Sequence, residues 1–92
     1  MRASSIAGLK EVRADGSVVE IVVWQVPEPV HASPHLYKYR LYFGKDGQSR
    51  VRYDNERGKG DHRHVGDIEE DYAFESLEKL LADFRVDVEN WR

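Results

Sequence analysis

The residues best suited to chemistry lie in one stretch near the middle of the chain, residues 52–64. It reads RYDNERGKGDHRH, with two histidines, two aspartates and four basic side chains around a glycine-rich loop. Histidine titrates near neutral pH, so His62 and His64 could act as a general base and a general acid. Arginine and lysine hold phosphate and stabilise charge that develops on it. These are the groups needed to cleave RNA through its own 2′-hydroxyl; the alternative is a surface loop whose charges pair among themselves.

We expect these side chains to divide the work of catalysis. The two histidines fall on the same side of an extended chain, where they would flank a bound phosphodiester. Arg52 would hold the phosphate, and Asp54 would orient either Arg52 or a histidine. Lys59 or Arg63 would close over the phosphate from the glycine loop.

A His-x-His pair is also half of a metal site, to which Asp54, Asp61 or Asp67 could add oxygen ligands. The sequence has no cysteine, and its two other histidines precede a separate strand, so no third nitrogen or sulfur ligand is at hand. Structural zinc usually takes four protein ligands and catalytic zinc three. We therefore predict no metal and no other cofactor, with a metal-binding structural protein as an alternative.

Residues 35–43 and 49–54 alternate between apolar and polar side chains and predict a β-hairpin. With the apolar positions and Tyr53 facing the core, the opposite face carries four cations: Lys38, Arg40, Arg50 and Arg52. Together with Tyr42 as a stacking aromatic, this face is typical of a surface that binds a nucleic-acid backbone. The alternative is an outer sheet face that is simply solvated.

Other segments provide the elements that position these residues. Residues 6–14 and 17–26 predict two strands joined at an Asp-Gly turn. An apolar stripe at helical spacing, with Ser76 as its N-cap, predicts a C-terminal helix of about 14 residues; the stripe contains Leu77, Leu80, Leu81, Phe84, Val88 and Trp91. We expect the acidic residues between 67 and 75 to precede or open this helix. The predicted fold class is α+β, an antiparallel sheet of four or five strands packed by one C-terminal helix.

Composition limits the kind of protein this can be. A chain of 92 residues is enough for one small domain, and 40% hydrophobic with 34% charged residues is typical of a globular chain. The apolar runs are short, so we expect no transmembrane helix, no signal peptide and a cytoplasmic location. Net charge is +4 over residues 35–64 and −6 over residues 65–92. This asymmetry favours a phosphate-facing surface in the middle of the chain, unless the two parts neutralise each other in the fold.

From about Val18 to its end, the sequence resembles the TumE family of toxins from toxin–antitoxin systems. The resemblance rests on HLYKYRLYF, on RVRYDNERGKGDHRH, on the acidic run and on the helix that begins after Ser76. The residues that match the family motif are Arg52, Tyr53, Asp54, Asn55, Gly58, Gly60, His62 and His64. The resemblance implies a bacterial or archaeal toxin that cleaves RNA and is neutralised by a helix-turn-helix antitoxin.

The sequence therefore predicts a single TumE-like domain over residues 1–92, acting as the toxin of a type II system and as a small endoribonuclease. Its catalytic residues would be His62, His64, Arg52 and Asp54. RNA binding would fall to Lys38, Arg40, Arg50, Lys59 and Arg63. The alternatives are a non-enzymatic RNA- or protein-binding module and a His-x-His metal-binding protein. We expect Trp91, at the end of the helical stripe, to pack against the fold. If the helix end is exposed, the alternative is a contact to an antitoxin or to a second copy in a homodimer.

Overall fold

The structure, a computed structural model, describes residues 3–55 and 58–91. Within these residues, six strands are followed by one helix. The strands are β1 (Ser4–Val12), β2 (Val18–Gln25), β3 (Tyr37–Lys45), β4 (Gln48–Asp54), β5 (His62–Val65) and β6 (Ile68–Asp71), and the helix is α1 (Leu77–Glu89). Each strand pairs antiparallel with the one before it, so one sheet follows the order of the chain.

One face of this sheet, here called the inner face, packs against α1. The alternation along β3 and β4 places the larger apolar side chains on this face. The buried core consists of Val23, Tyr39, Leu41, Phe43, Val51, Tyr53, Leu80 and Phe84. The opposite side, here called the outer face, has no helix over it in the described part of the chain. The predicted α+β class and the C-terminal helix are confirmed.

The helix begins where the sequence predicts. Ser76 is its N-cap, and its hydroxyl accepts a hydrogen bond from the backbone N–H of Lys79 at 3.1 Å. The helix spans 13 residues, close to the expected length, and buries Leu80 and Phe84. Phe74, just before the cap, stacks on the ring of His35 with centroids 3.8 Å apart. This stack fixes the entry to the helix against the segment that leads into β3.

The expected number of four or five strands is too low, because β6 forms from residues that were expected only to precede or open the helix. Gly66, at φ 60°, makes the turn that returns the chain along β5. β6 is short, and all four of its residues are exposed. Its side chains therefore lack the alternation by which a half-buried strand is recognised.

The position of Arg50 also differs from the prediction. The register between β3 and β4 shifts between Phe43 and Gly44, which makes Arg50 the extra residue of a β-bulge. Its guanidinium lies over the ring of Phe43 at 5.5 Å and over that of Trp91 at 5.7 Å. Arg50 thus packs between the sheet and the end of α1, and the expected face of four cations keeps three of them.

Candidate functional site

Two rows of side chains cross the outer face, each made of cross-strand partners on successive strands. The first row consists of Val22, Arg40, Asp54, His62 and Asp71. The second row consists of Glu20, Tyr42, Arg52, His64 and Glu69. The rows are neighbours, because side chains on one face of a strand repeat every second residue, roughly 7 Å apart.

The four residues predicted to be catalytic occupy the centre of these two rows. Arg52 is the cross-strand partner of His64, and Asp54 is the partner of His62. We call Arg52, Asp54, His62 and His64 the β4–β5 cluster. Their assembly depends on two features that the sequence contains, a strand with polar residues at alternate positions and a His-x-His strand that returns beside it.

Arg52 connects two members of the cluster. Its Nη2 lies 3.1 Å from Nε2 of His64, and its Nε lies 3.2 Å from Oδ2 of Asp54. Arginine is only a donor, so the Nε2 atom of His64 accepts this hydrogen bond and the proton of the neutral ring is on Nδ1. Asp54 therefore orients Arg52, which is one of the two roles the sequence left open for it.

The imidazole of His62 is held by the loop before β5. Its Nε2 donates to the backbone carbonyl of Lys59 at 2.5 Å, which places the lone pair of the neutral ring on Nδ1. This Nδ1 is shielded from solvent and has no hydrogen bond within residues 3–55 and 58–91. Carboxylate oxygens of Asp71 and Glu69 lie 3.6 and 3.7 Å from it. His62 thus presents an unused basic nitrogen beside two carboxylates.

A depression of about 390 Å³ adjoins the cluster on the β3 side. It is lined by Lys38, Arg40, Arg52 and Asp54, with Tyr39 and Asn55 completing the wall. Arg40 makes an ion pair with Glu20 at 3.8 Å, and the two side chains are 50% and 32% exposed. Exposed pairs of this kind contribute at most about 1 kcal/mol, so Arg40 can turn towards an anion at little cost. Three cations therefore surround a space large enough for a phosphate group.

Arg63 lies on the inner face, away from the predicted phosphate. Its Nε and Nη2 donate to the two carboxylate oxygens of Asp87 at 2.8 Å each, and its Nη1 donates to Glu70 at 2.7 Å. The hydrogen bond to Asp87 is the main reason why the pKa of Arg63 is raised. This bidentate pair ties β5 to α1. The expectation that Arg63 closes over the phosphate does not fit this placement, because its side chain points to the opposite side of the strand from the histidines.

Two polar residues that the sequence analysis did not connect lie buried near the end of β4. The carboxylate of Asp61 accepts hydrogen bonds from Nε2 of His35 at 2.8 Å and from the hydroxyl of Tyr39 at 2.6 Å. The other ring nitrogen of His35 accepts from the backbone N–H of Tyr37 at 3.1 Å. Because both nitrogens of His35 are engaged, this group holds the loop in place and leaves no free acid or base.

Asn55 is the second such residue. Its side-chain oxygen accepts from the N–H of Tyr39 at 2.9 Å, and its Nδ2 donates to the carbonyl of Tyr37 at 2.6 Å. β4 ends at Asp54, so the Asn55 amide replaces the strand partner that this part of β3 would otherwise lack. An asparagine directly after a strand that is shorter than its neighbour is the signal that could have revealed this role.

The described residues contain no group of three or more histidine, aspartate or glutamate side chains arranged to hold a metal ion. Among the same residues, no helix is long and apolar enough to cross a membrane.

The fold and site together define a small α+β protein with one sheet face covered by a helix and an Arg–His–Asp cluster on the other. The family described as Toxin TumE matches residues 3–92, and the chain belongs to this family of toxins. No curated protein and no solved structure was found that matches it.

Proposed function

We propose that this protein is the toxin of a type II toxin–antitoxin system and acts as an endoribonuclease that needs no metal. The observation that carries the proposal is the β4–β5 cluster, in which an arginine, two histidines and an aspartate meet on an open sheet face. Membership of a toxin family supports the biological role. The depression next to the cluster is lined by Lys38, Arg40 and Arg52, and these three cations support a substrate that carries phosphate.

The chemistry follows from the contacts of each side chain. Nδ1 of His62 takes the proton of the 2′-hydroxyl, and the 2′-oxygen attacks the phosphorus as the bond to the 5′-oxygen breaks. Arg52 turns from His64 to the phosphate, which frees Nε2 of His64 to carry a proton and deliver it to the leaving 5′-oxygen. The products are a 2′,3′-cyclic phosphate and a 5′-hydroxyl end. For the base to act, Nδ1 of His62 must be uncovered by movement of Glu69 or Asp71, whose side chains are 49% and 95% exposed.

Single substitutions test this assignment. We expect His62→Ala and His64→Ala each to lower the rate of RNA cleavage by roughly 10²–10⁴-fold, the usual contribution of one acid or base. His31→Ala is the matched control, because His31 is exposed and lies outside the cluster.

The rate should follow a bell-shaped pH profile with both limbs between about pH 5 and 8. Cleavage should persist in EDTA and leave 2′,3′-cyclic ends; loss on chelation with recovery on adding a divalent metal would overturn the scheme.

The competing function is a module that binds RNA or protein without chemistry. The exposed cations favour this function, because binding through them needs no histidine. The double variant His62→Ala/His64→Ala separates the two classes. Growth inhibition that survives both substitutions would favour binding alone. Lost toxicity with retained RNA affinity would favour catalysis.

We also propose that residues 1–92 act as one TumE-like domain in the cytoplasm and are neutralised there by a helix-turn-helix antitoxin. The toxin family supports the existence of an antitoxin partner. An adjacent reading frame that encodes a helix-turn-helix protein and restores growth on co-expression would support this pairing. Sedimentation of the purified protein would show whether it forms the expected homodimer.

A further inference from the structure

A second depression lies on the outer face, next to the one at the β4–β5 cluster. It has a volume of about 380 Å³ and is lined mainly by Val22, Trp24, Val26, Lys38 and Arg40. Trp24 is the cross-strand partner of Lys38 and is 40% exposed. The two depressions share the side chains of Lys38 and Arg40. An apolar recess with a tryptophan and a polar recess with a candidate reactive centre are therefore separated only by a pair of cations.

We infer that the Trp24 recess is a subsite that binds a base of single-stranded RNA beside the reactive centre. The inference rests on the proposed function and names its substrate class. A partly exposed indole offers a flat surface on which any base can stack, while Lys38 and Arg40 are placed to hold the adjoining phosphates. The valines at positions 22 and 26 provide the apolar wall that such a base requires.

The other aromatic side chain on this face, Tyr42, packs along its own strand. The guanidinium of Arg40 lies over its ring, 5.1 Å from the centroid. Its hydroxyl lies against Gly44, where an added Cβ would collide with it and with the carbonyl oxygen of Gln48. Tyr42 is therefore packed along the strand, and the stacking role that the sequence suggested for it passes to Trp24.

The position of the recess defines the form of the substrate. Trp24 on β2 lies three strand spacings from His62 on β5 and one row away from it, which places the two backbones about 16 Å apart. A base in the recess thus belongs to a different nucleotide from the one that is attacked. Stacking on Trp24 needs a base whose face is open, whereas bases in a duplex are stacked on one another. The substrate class is accordingly a single-stranded segment that runs across β2 to β5.

Binding can be measured apart from cleavage in the double variant His62→Ala/His64→Ala. The probes are a fluorescent RNA oligonucleotide in single-stranded form and the same strand in a duplex, followed by anisotropy. We expect the additional change Trp24→Ala to weaken single-strand binding about 5- to 150-fold, which corresponds to about 1–3 kcal/mol for one stacked base. Trp24→Phe should retain most of the affinity. Val12→Ala, at an exposed apolar position on the same face but away from the cations, is the matched control and should change nothing.

Several outcomes would overturn the inference. The inference would be wrong if Trp24→Ala left the affinity for single-stranded RNA unchanged. It would also be wrong if the substitution weakened binding of single strand and duplex equally, or if the protein bound no RNA at all. Failure of the proposed function would give a different result. If RNA binding depends on Trp24 but the protein with both histidines does not cleave RNA, the subsite is supported and the ribonuclease activity is contradicted. If the protein cleaves RNA but its RNA binding does not depend on Trp24, the activity is supported and the subsite is contradicted.

Discussion

The two faces of the sheet use the same residue types for opposite purposes. On the inner side of the sheet, three tyrosine hydroxyls each donate to an aspartate from a distant part of the chain, Tyr39 to Asp61, Tyr53 to Asp87 and Tyr72 to Asp83. On the outer face, the contacts among arginine, histidine and carboxylate groups are longer, from 3.1 to 3.9 Å, and many of the side chains are exposed. The inner contacts are complete and hold the fold together, whereas the outer ones leave donors and acceptors for a ligand.

In this protein, a shifted pKa is not by itself a sign of function. Burial, together with a hydrogen bond to the neighbouring aspartate, raises the pKa of Tyr39, Tyr53 and Tyr72 well above the usual range. Such shifts often indicate active sites, but structural networks also produce them. Here each phenol already has its partner. The candidate reactive groups are distinguished instead by what they lack, such as a hydrogen bond at Nδ1 of His62.

The strongest test of this comparison removes one carboxylate from each face. Asp87 serves both Tyr53 and Arg63, so Asp87→Ala should lower the free energy of unfolding by about 3 kcal/mol. The change leaves a buried phenol without its acceptor and a partly buried cation with only its contact to Glu70. Asp54→Ala should cost about 1 kcal/mol or less, because its pairing with Arg52 is partly exposed. Urea unfolding measures both. Equal losses would mean that the outer cluster is as structural as the inner one.

A further effect is expected at alkaline pH. Because the folded-state pKa values of the three phenols lie above their unfolded value of about 10, the associated stability is complete below pH 10 and is lost as pH rises above it. Each contributes a slope of up to about 1.4 kcal/mol per pH unit. We expect these three of the five tyrosines to ionise, in absorbance at 295 nm, only as the chain unfolds.

Tyr53→Phe is the variant that sharpens this measurement. It removes one phenol and should therefore reduce the steepness of alkaline unfolding. Val12→Ala, at an exposed position, removes no phenol and is the control, which should leave the steepness unchanged. Ionisation of all five phenols before the circular dichroism of the fold changes would contradict the prediction.

The features of the fold and site that could be predicted from the sequence are those set by residues close together in the chain. The two-residue alternation of β3 and β4 and the helical spacing from Leu77 both follow from the chain itself, and so does the common side of His62 and His64. The pairing of Arg63 with Asp87 joins residues 24 positions apart and leaves no local pattern. The same is true of the hydrogen bond between His35 and Asp61, 26 positions apart.

Arg50 is the clearest example of the limit, and it supplies the last prediction. A strict alternation puts it beside Arg52, but the bulge turns it to the rings of Phe43 and Trp91. Arg50→Gln should lower the free energy of unfolding by about 0.5–1 kcal/mol, the usual value of an exposed cation–π contact. It should not change how RNA affinity depends on salt. Arg40→Gln, on the outer face, should instead reduce the slope of log affinity against log salt by about 0.7, because one phosphate contact of a single strand is lost. If both variants changed the slope equally, Arg50 would have to reach RNA around the edge of the sheet, and the division of roles between the two faces would fail at this position.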